Sequence, residues 1–222
     1  MLLAVSEALG LPVMQSSPRL VQVRTSRPLV ALTFDDGPHP KVTPWVLDLL
    51  ERAKAHATFF LVGKQVEMYP ELARQILARG HEIGSHTYTH PQLTKLTALD
   101  VERELTTSRM VIAQATGTQV TLFRPPGGDY DGGVGRLVSL WGFTSVFWTC
   151  NICAYYKNPR AQVVDGMARK ISPGGIILLH NGEDLTLDVL PELLQRLRTD
   201  GYEMCSVSEL LAARSDNPEP RT

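Results

Sequence analysis

Apolar runs of three to six residues alternate with amphipathic helical patterns along nearly the whole chain, and this alternation constrains the fold more than any other feature of the sequence. The runs are "LVALTF" (29–34), "ATFFLV" (57–62), "TLF" (121–123), "TSVFW" (144–148) and "GIILLH" (175–180). They are rich in β-branched and aromatic residues and unbroken by charge, as strands buried on both faces are. Helical patterns occupy 43–56, 69–80, 97–116, 131–140, 159–171 and 187–201. Gly80 and Gly201 stand where helices end on glycine, and Thr97 and Asp100 can cap the pattern at 97–116. Such alternation predicts an α/β chain with a largely parallel sheet, doubly wound or closed into a β/α barrel. In either architecture functional residues stand at the carboxyl ends of strands, so the place of every motif can be tested.

Length and charge narrow the function classes. With 222 residues, 43% of them hydrophobic, the chain is long enough for one sizeable core and fits one domain. The formal charge is -1 and no block of lysine and arginine occurs, which excludes the electrostatic footprint of a nucleic-acid binder. No run approaches transmembrane length. The opening "MLLAVSEALGLPVM" lacks a basic leading region and is interrupted by Glu7, so it reads poorly as a signal peptide. The domain is expected over 29–213, with 1–28 as an N-terminal extension and 214–222, "RSDNPEPRT", as a disordered polar tail. Cys150, Cys153 and Cys205 are too few for a disulfide framework, and "CNIC" without a second Cys/His pair reads as two half-buried structural thiols.

Four stretches carry chemistry. Asp35 and Asp36 follow the first apolar run in a turn that Gly37 and Pro38 force away from regular structure. The plain alternative is a solvated turn, or a cap for the helix beginning near Thr43. Adjacent carboxylates beside a buried strand end are costly, however, unless a cation or a proton compensates them. "HEIGSHTYTH" (81–90) supplies further ligands: His86 and His90 are four apart and can aim both imidazoles at one point, and with a carboxylate they suit zinc or another first-row metal. His81 is read as structural. "LFRPPGGDY" (122–130) sets Arg124 at another strand end, with Gly127 and Gly128 letting the backbone approach a ligand. "GGIILLHNG" (174–182) ends a strand on His180, which by itself would be a satisfied core residue.

Taken together, "TFDDGP", "HTYTH", "RPPGG" and "ILLH" resemble, in order, the motifs of the polysaccharide deacetylases of the NodB-homology type, carbohydrate esterase family four. The resemblance spans residues 33 to 180 and implies a distorted (β/α) barrel with largely parallel strands. It implies a metal-dependent hydrolase that removes N-acetyl groups from N-acetylglucosamine-containing polysaccharide, peptidoglycan or chitin-like. One divalent metal ion is implied, zinc first, with cobalt or nickel as alternatives, held by Asp36, His86 and His90. By motif position Asp35 is the general base, His180 the acid that protonates the leaving amine, and Arg124 the residue that orients Asp35. Gly127, Pro126, Leu178 and Tyr155 fall at substrate-binding positions, the backbone N–H of Gly127 at the oxyanion and Leu178 at the acetate-methyl pocket. Thr87 matches the hydroxyl that holds the histidine loop. The expected partner is a glycan, the protein a monomer without a transmembrane segment, and its place extracellular or in the cell envelope.

The chain departs from the family at the fourth motif, typically D-x-x-D-W, where "WTCNICAYY" (148–156) sets Asn151 and Ala154 on the aspartates and Tyr155 on the tryptophan. Ala154 cannot brace Arg124 or tune the histidine, and Asp129 and Asp131 are the neighbouring carboxylates that would have to. This departure motivates an alternative, a catalytically weak or silent glycan-binding member of the same fold. A third reading, a non-haem iron oxygenase, shares the two histidines and one carboxylate but leaves Asp35 and His180 without a task.

Overall fold

The computed structural model describes residues 19–182 and 184–215. Its strands are β1 (Arg19–Leu20), β2 (Leu29–Gly37), β3 (Thr58–Leu61), β4 (Glu82–Ser85), β5 (Leu122–Phe123), β6 (Thr144–Val146), β7 (Cys150–Asn151), β8 (Ile176–His180) and β9 (Glu203–Cys205). They form one sheet in the order β1-β6-β5-β4-β3-β2-β8-β7, and every strand pair is parallel, as the alternation requires. At Ala31, β2 pairs with β8 on one edge and with β9 on the other, so β9 shares the β3 edge. Between β6 and β7 the chain runs from one end of the sheet to the other. Phe147 N–H bonds Leu20 O and Thr149 N–H bonds Ile176 O, which curls the sheet into a distorted barrel.

The period of two along each strand separates two apolar layers. Val30, Leu32, Phe34, Ile177 and Leu179 belong to the layer beneath the helices. Ala31, Phe60, Leu122, Val146 and Ile176 fill the barrel interior. Thr33, Asp35, Leu178 and His180 continue the interior set to the carboxyl end, where polar chemistry replaces packing.

The helices are α1 (Val42–Arg52), α2 (Gly63–Met68), α3 (Pro70–Ala78), α4 (Ala98–Thr116), α5 (Gly132–Leu140), α6 (Arg160–Ala168), α7 (Asp184–Thr199) and α8 (Val207–Ala212). Thr97 caps α4 by accepting from Asp100 N–H, as expected. Gly80 and Gly201 take left-handed φ of 80° and 85° beyond their helices. The cap of α1 comes from His39, whose Nδ1 accepts from Lys41 and Val42 N–H, so the Asp35–Asp36 pair is not a helix cap.

The domain takes in residues before Leu29: β1 pairs with β6, and Val23 N–H bonds Gly174 O. Residues 1–18 of the expected extension and 216–222 of the expected tail lie outside the described residues. β4 is absent from the sequence reading because "HEIGS" breaks the apolar pattern with Gly84, and the barrel demands that glycine, since a Cβ there would stand 2.6 Å from the Phe60 ring.

Candidate metal centre and catalytic cleft

The carboxyl ends of β2, β4, β5 and β8 converge on one cleft. β2 delivers Asp35 on the interior face and then turns sharply, Asp36 lying at φ 71° in the left-handed region, which short polar side chains tolerate. Gly37 must lack a side chain there, because a Cβ would stand 2.5 Å from Asn181 Nδ2. β4 ends at Ser85 and is followed by His86, buried, then by Thr87 and His90 at φ 66° and 64°. A β-branched threonine in that region is strained, and bonds on both sides hold it. Thr87 Oγ1 donates to His86 O and accepts from His90 N–H at 3.0 Å, which brings two histidines four apart to one point.

Asp36 Oδ1 lies 3.5 Å from His86 Nε2 and 3.2 Å from His90 Nε2. Ligands bonded at about 2.1 Å to a tetrahedral ion stand about 3.4 Å apart, so the spacing is that of three ligands around a shared centre. Two further observations fit a cation. His86 Nδ1 donates to Arg124 O at 2.8 Å, which leaves the Nε2 lone pair facing the cluster. Asp36 Oδ1 is buried and hydrogen-bonded to nothing among the described residues. Burial pushes the Asp36 carboxyl upward, but His86 and His90 outweigh it and hold the group far below the usual carboxylate range. The same contact with Asp36 raises His90. One carboxylate and two imidazoles fit zinc, cobalt or nickel and leave a coordination position open.

Arg124 organises the rest. It is fully buried, stacked 4.2 Å over the Phe60 ring, and burial lowers its pKa while Asp35 opposes that shift. Nη1 donates to Asp35 Oδ1 at 2.8 Å and Thr33 Oγ1 at 2.7 Å; Nε and Nη2 donate to the carbonyls of Val146 and Phe147. Arg124 thus fixes Asp35 with its side chain and His86 with its carbonyl. Asp35 Oδ2, 3.7 Å from His86 Nε2, is turned toward the metal ligands. Apart from Asp35 and Thr33, the acceptors of the guanidinium among the described residues are these two carbonyls. Asp129 instead accepts from Thr94, and Asp131 caps α5, so neither braces the guanidinium.

On the opposite side of the cleft, register pairs His180 with Asp35, and Asn181 N–H bonds Asp35 O. Leu178 is two residues earlier on the same face and is buried. Pro126 is buried and Gly127, at φ 60°, turns the loop after β5. Tyr155 is the exception. Asn151 caps a 3-10 turn over Ile152–Tyr155, in which residues three apart share a side, so Ile152 and Tyr155 both enter the core. Tyr155 donates to Gly166 O at 2.8 Å, and its ring is buried against Gly166. Cys153 and Tyr156 take the other side, and Cys153 Sγ meets the His180 ring. Of the "CNIC" thiols, both expected half-buried, Cys153 is so, whereas Cys150 is fully buried, and burial pushes Cys150 up to about 11.

Sequence reasoning missed Glu104 of α4. Its carboxylate accepts from Tyr88 and Thr89 N–H, both at 2.8 Å, and from Thr89 Oγ1, and so anchors the loop between His86 and His90. A glutamate on a helix reads as a solvated face, and no local signal distinguishes this one.

A polysaccharide deacetylase family model matches residues 22–146. Over 200 residues the chain is 34% identical to a peptidoglycan-N-acetylglucosamine deacetylase of Bacillus cereus, covering 86% of this chain and 91% of that protein. It is 32% identical over 195 residues to the peptidoglycan-N-acetylmuramic acid deacetylase PdaC of Bacillus subtilis, covering 88% of this chain but spanning only 41% of PdaC. Among solved structures, a CE4 family pseudoenzyme from Bacillus anthracis is similar at TM-score 0.83 and 27% identity, over 90% of this chain and 72% of its own.

Proposed function

Because the chain belongs to the polysaccharide deacetylase family, we propose that it hydrolyses the N-acetyl amide of an N-acetylglucosamine-containing polysaccharide, peptidoglycan or chitin-like, with one divalent metal ion. The observation that carries this reading is the convergence of Asp36, His86 and His90 at tetrahedral spacing beside a buried, arginine-held Asp35. Asp36, His86 and His90 hold the ion, zinc first, with cobalt or nickel able to replace it. When bound, the ion supplies Lewis acidity toward the acetyl carbonyl and lowers the pKa of water.

The chain's own groups supply the proton transfers. Asp35 has Oδ1 committed to Arg124, so Oδ2 is the atom that takes a proton from the attacking water. His180, across the cleft, gives a proton to the amide nitrogen as the C–N bond breaks, releasing acetate and a free amine. The N–H of Gly127 and the side chains of Leu178 and Pro126 receive the acetyl group and its developing oxyanion. Thr87 acts on the loop. The proposed place of action is the cell envelope or outside it, in keeping with a polymeric glycan substrate.

Acetate release from N-acetylglucosamine oligomers by metal-stripped protein, with zinc, cobalt or nickel returned, tests this reading. Release that needs metal and disappears in Asp35→Asn supports it; no release with any metal, despite a bound ion, removes it. A second reading, a silent glycan-binding member, draws on the asparagine and alanine, Asn151 and Ala154, that stand at the aspartates of the fourth motif. Glycan binding unchanged by Asp35→Asn, with no turnover in the parent, would favour that reading.

A further inference from the structure

We propose that the side chain of Asn181 positions the turn that carries Asp35 and Asp36; this rests on the metal-site reading above. The sheet leaves that turn short of support. β2 and β3 pair in register up to Asp35 and Phe60 and resume at Gly37 and Leu61, so Asp36 is the extra residue of a bulge and has no partner on β3. On the other edge the register of β2 with β8 ends at Asp35 and His180. Asp36, at φ 71°, is therefore without a register partner on either edge.

Asn181 stands where the ladder with β8 stops. Its main-chain N–H donates to Asp35 O at 2.8 Å. Its buried side chain lies over Gly37, where a Cβ would stand 2.5 Å from Nδ2. Nδ2 donates to Thr43 Oγ1 at 2.9 Å, and the same oxygen accepts from His39 N–H at 2.8 Å. Among the described residues Oδ1 bonds nothing, so the bond to Thr43 is the side chain's single hydrogen bond. The chain is thus held at Asp35, covered at Gly37 and tied through Thr43 at His39, on both sides of Asp36. Val62 N–H bonds Gly37 O from the β3 side, and the amide of Asn181 is the support from the β8 side. An amide makes these contacts without adding a third charge beside two carboxylates.

The test is zinc affinity, read on folded protein by competition with a chromogenic chelator, for the parent, Asn181→Ala, Thr43→Val and the double variant. Asn181→Ala keeps the main-chain bond to Asp35 and removes both the cover on Gly37 and the bond to Thr43. It should weaken zinc binding about tenfold, as loss of a group behind a ligand does. Thr43→Val keeps the cover and removes the bond, so its loss should be smaller, about threefold. The double variant should lose less than the product of the two, because both substitutions break one link. A packing role alone would lower stability in urea and leave the affinity of the folded protein as it was. Affinity in Asn181→Ala within about twofold of the parent, or losses that multiply fully, would overturn the proposal. Should Asn181→Ala not fold, an unchanged affinity in Thr43→Val overturns it. A parent that binds zinc but releases no acetate removes the deacetylase reading and leaves this one; a parent that binds no zinc removes the metal site and this proposal together.

Discussion

The two sides of the cleft are built from different groups. On the β2, β4 and β5 side Asp35 is bonded to Arg124, His86 to the Arg124 carbonyl, and the histidine loop to Thr87 and Glu104. On the β7 and β8 side the His180 ring meets a sulfur at 3.5 Å, and the expected substrate aromatic, Tyr155, has withdrawn into the core. The difference teaches which part of the reaction tolerates replacement. Metal ligation and base catalysis need charge held within tenths of an ångström. A proton donor needs mainly a ring aimed in the right direction.

The largest effects fall on the first side. Asp36→Ala or His86→Ala abolishes both metal binding and acetate release, whereas Asp35→Asn lowers release by ~10²–10⁴ and keeps the metal. Metal content measured beside activity separates the two; an Asp35→Asn protein that lost its metal would show that Asp35 is itself a ligand. Next comes Arg124→Met. It leaves the buried Asp35 carboxylate without its cation, so urea titration should find about 3–5 kcal/mol less stability. A loss under about 1 kcal/mol would mean that neither the ion pair nor the carbonyl bonds of Arg124 carry much of the stability.

Smaller effects test how each side is supported. Glu104→Ala removes the acceptor for two loop amides and should weaken metal affinity about 10–100-fold, as loss of a group behind a ligand does. Competition with a chromogenic chelator reads this directly, and an unchanged affinity would leave Thr87 as the loop's anchor. Tyr155→Phe, on the β7 and β8 side, should cost about 1 kcal/mol through its bond to Gly166 and leave KM for oligomers as it was. A raised KM would return Tyr155 to the substrate.

The smallest effect lies at the far end of β4. His81 is buried with neither ring nitrogen partnered among the described residues, and burial first, then His56 and Arg79, push it down to about 4 from 6.5. Between those values the unfolded chain binds a proton that the folded one refuses, so stability falls as pH drops through that window. His81→Phe should flatten the acid limb of stability measured by urea titration at several pH values. An unchanged limb would assign it to other groups.

Much of the first side was legible. "TFDDGP" and "HTYTH" encode their geometry in consecutive residues, because a strand end, a tight turn and a four-residue histidine spacing are local matters. Strands β2, β3 and β8 were legible too, as unbroken apolar runs. β4 was not, since Gly84 answers to Phe60, its register partner on the neighbouring strand β3, and Glu104 was not, since its partners lie 15 and 16 residues earlier.

By itself, then, the sequence determined the parallel α/β architecture, the carboxylate pair, the histidine pair and the strand on which His180 sits. Only the tertiary structure decided what surrounds them: carbonyls of Val146 and Phe147 on Arg124, Cys153 rather than Ala154 against His180, and Tyr156 rather than Tyr155 in the cleft. The reason is physical. Periods of two and 3.6 can be read from spacing, but the facing of a short strand that breaks into a 3-10 turn depends on its register with a neighbour, and that register is set by β8.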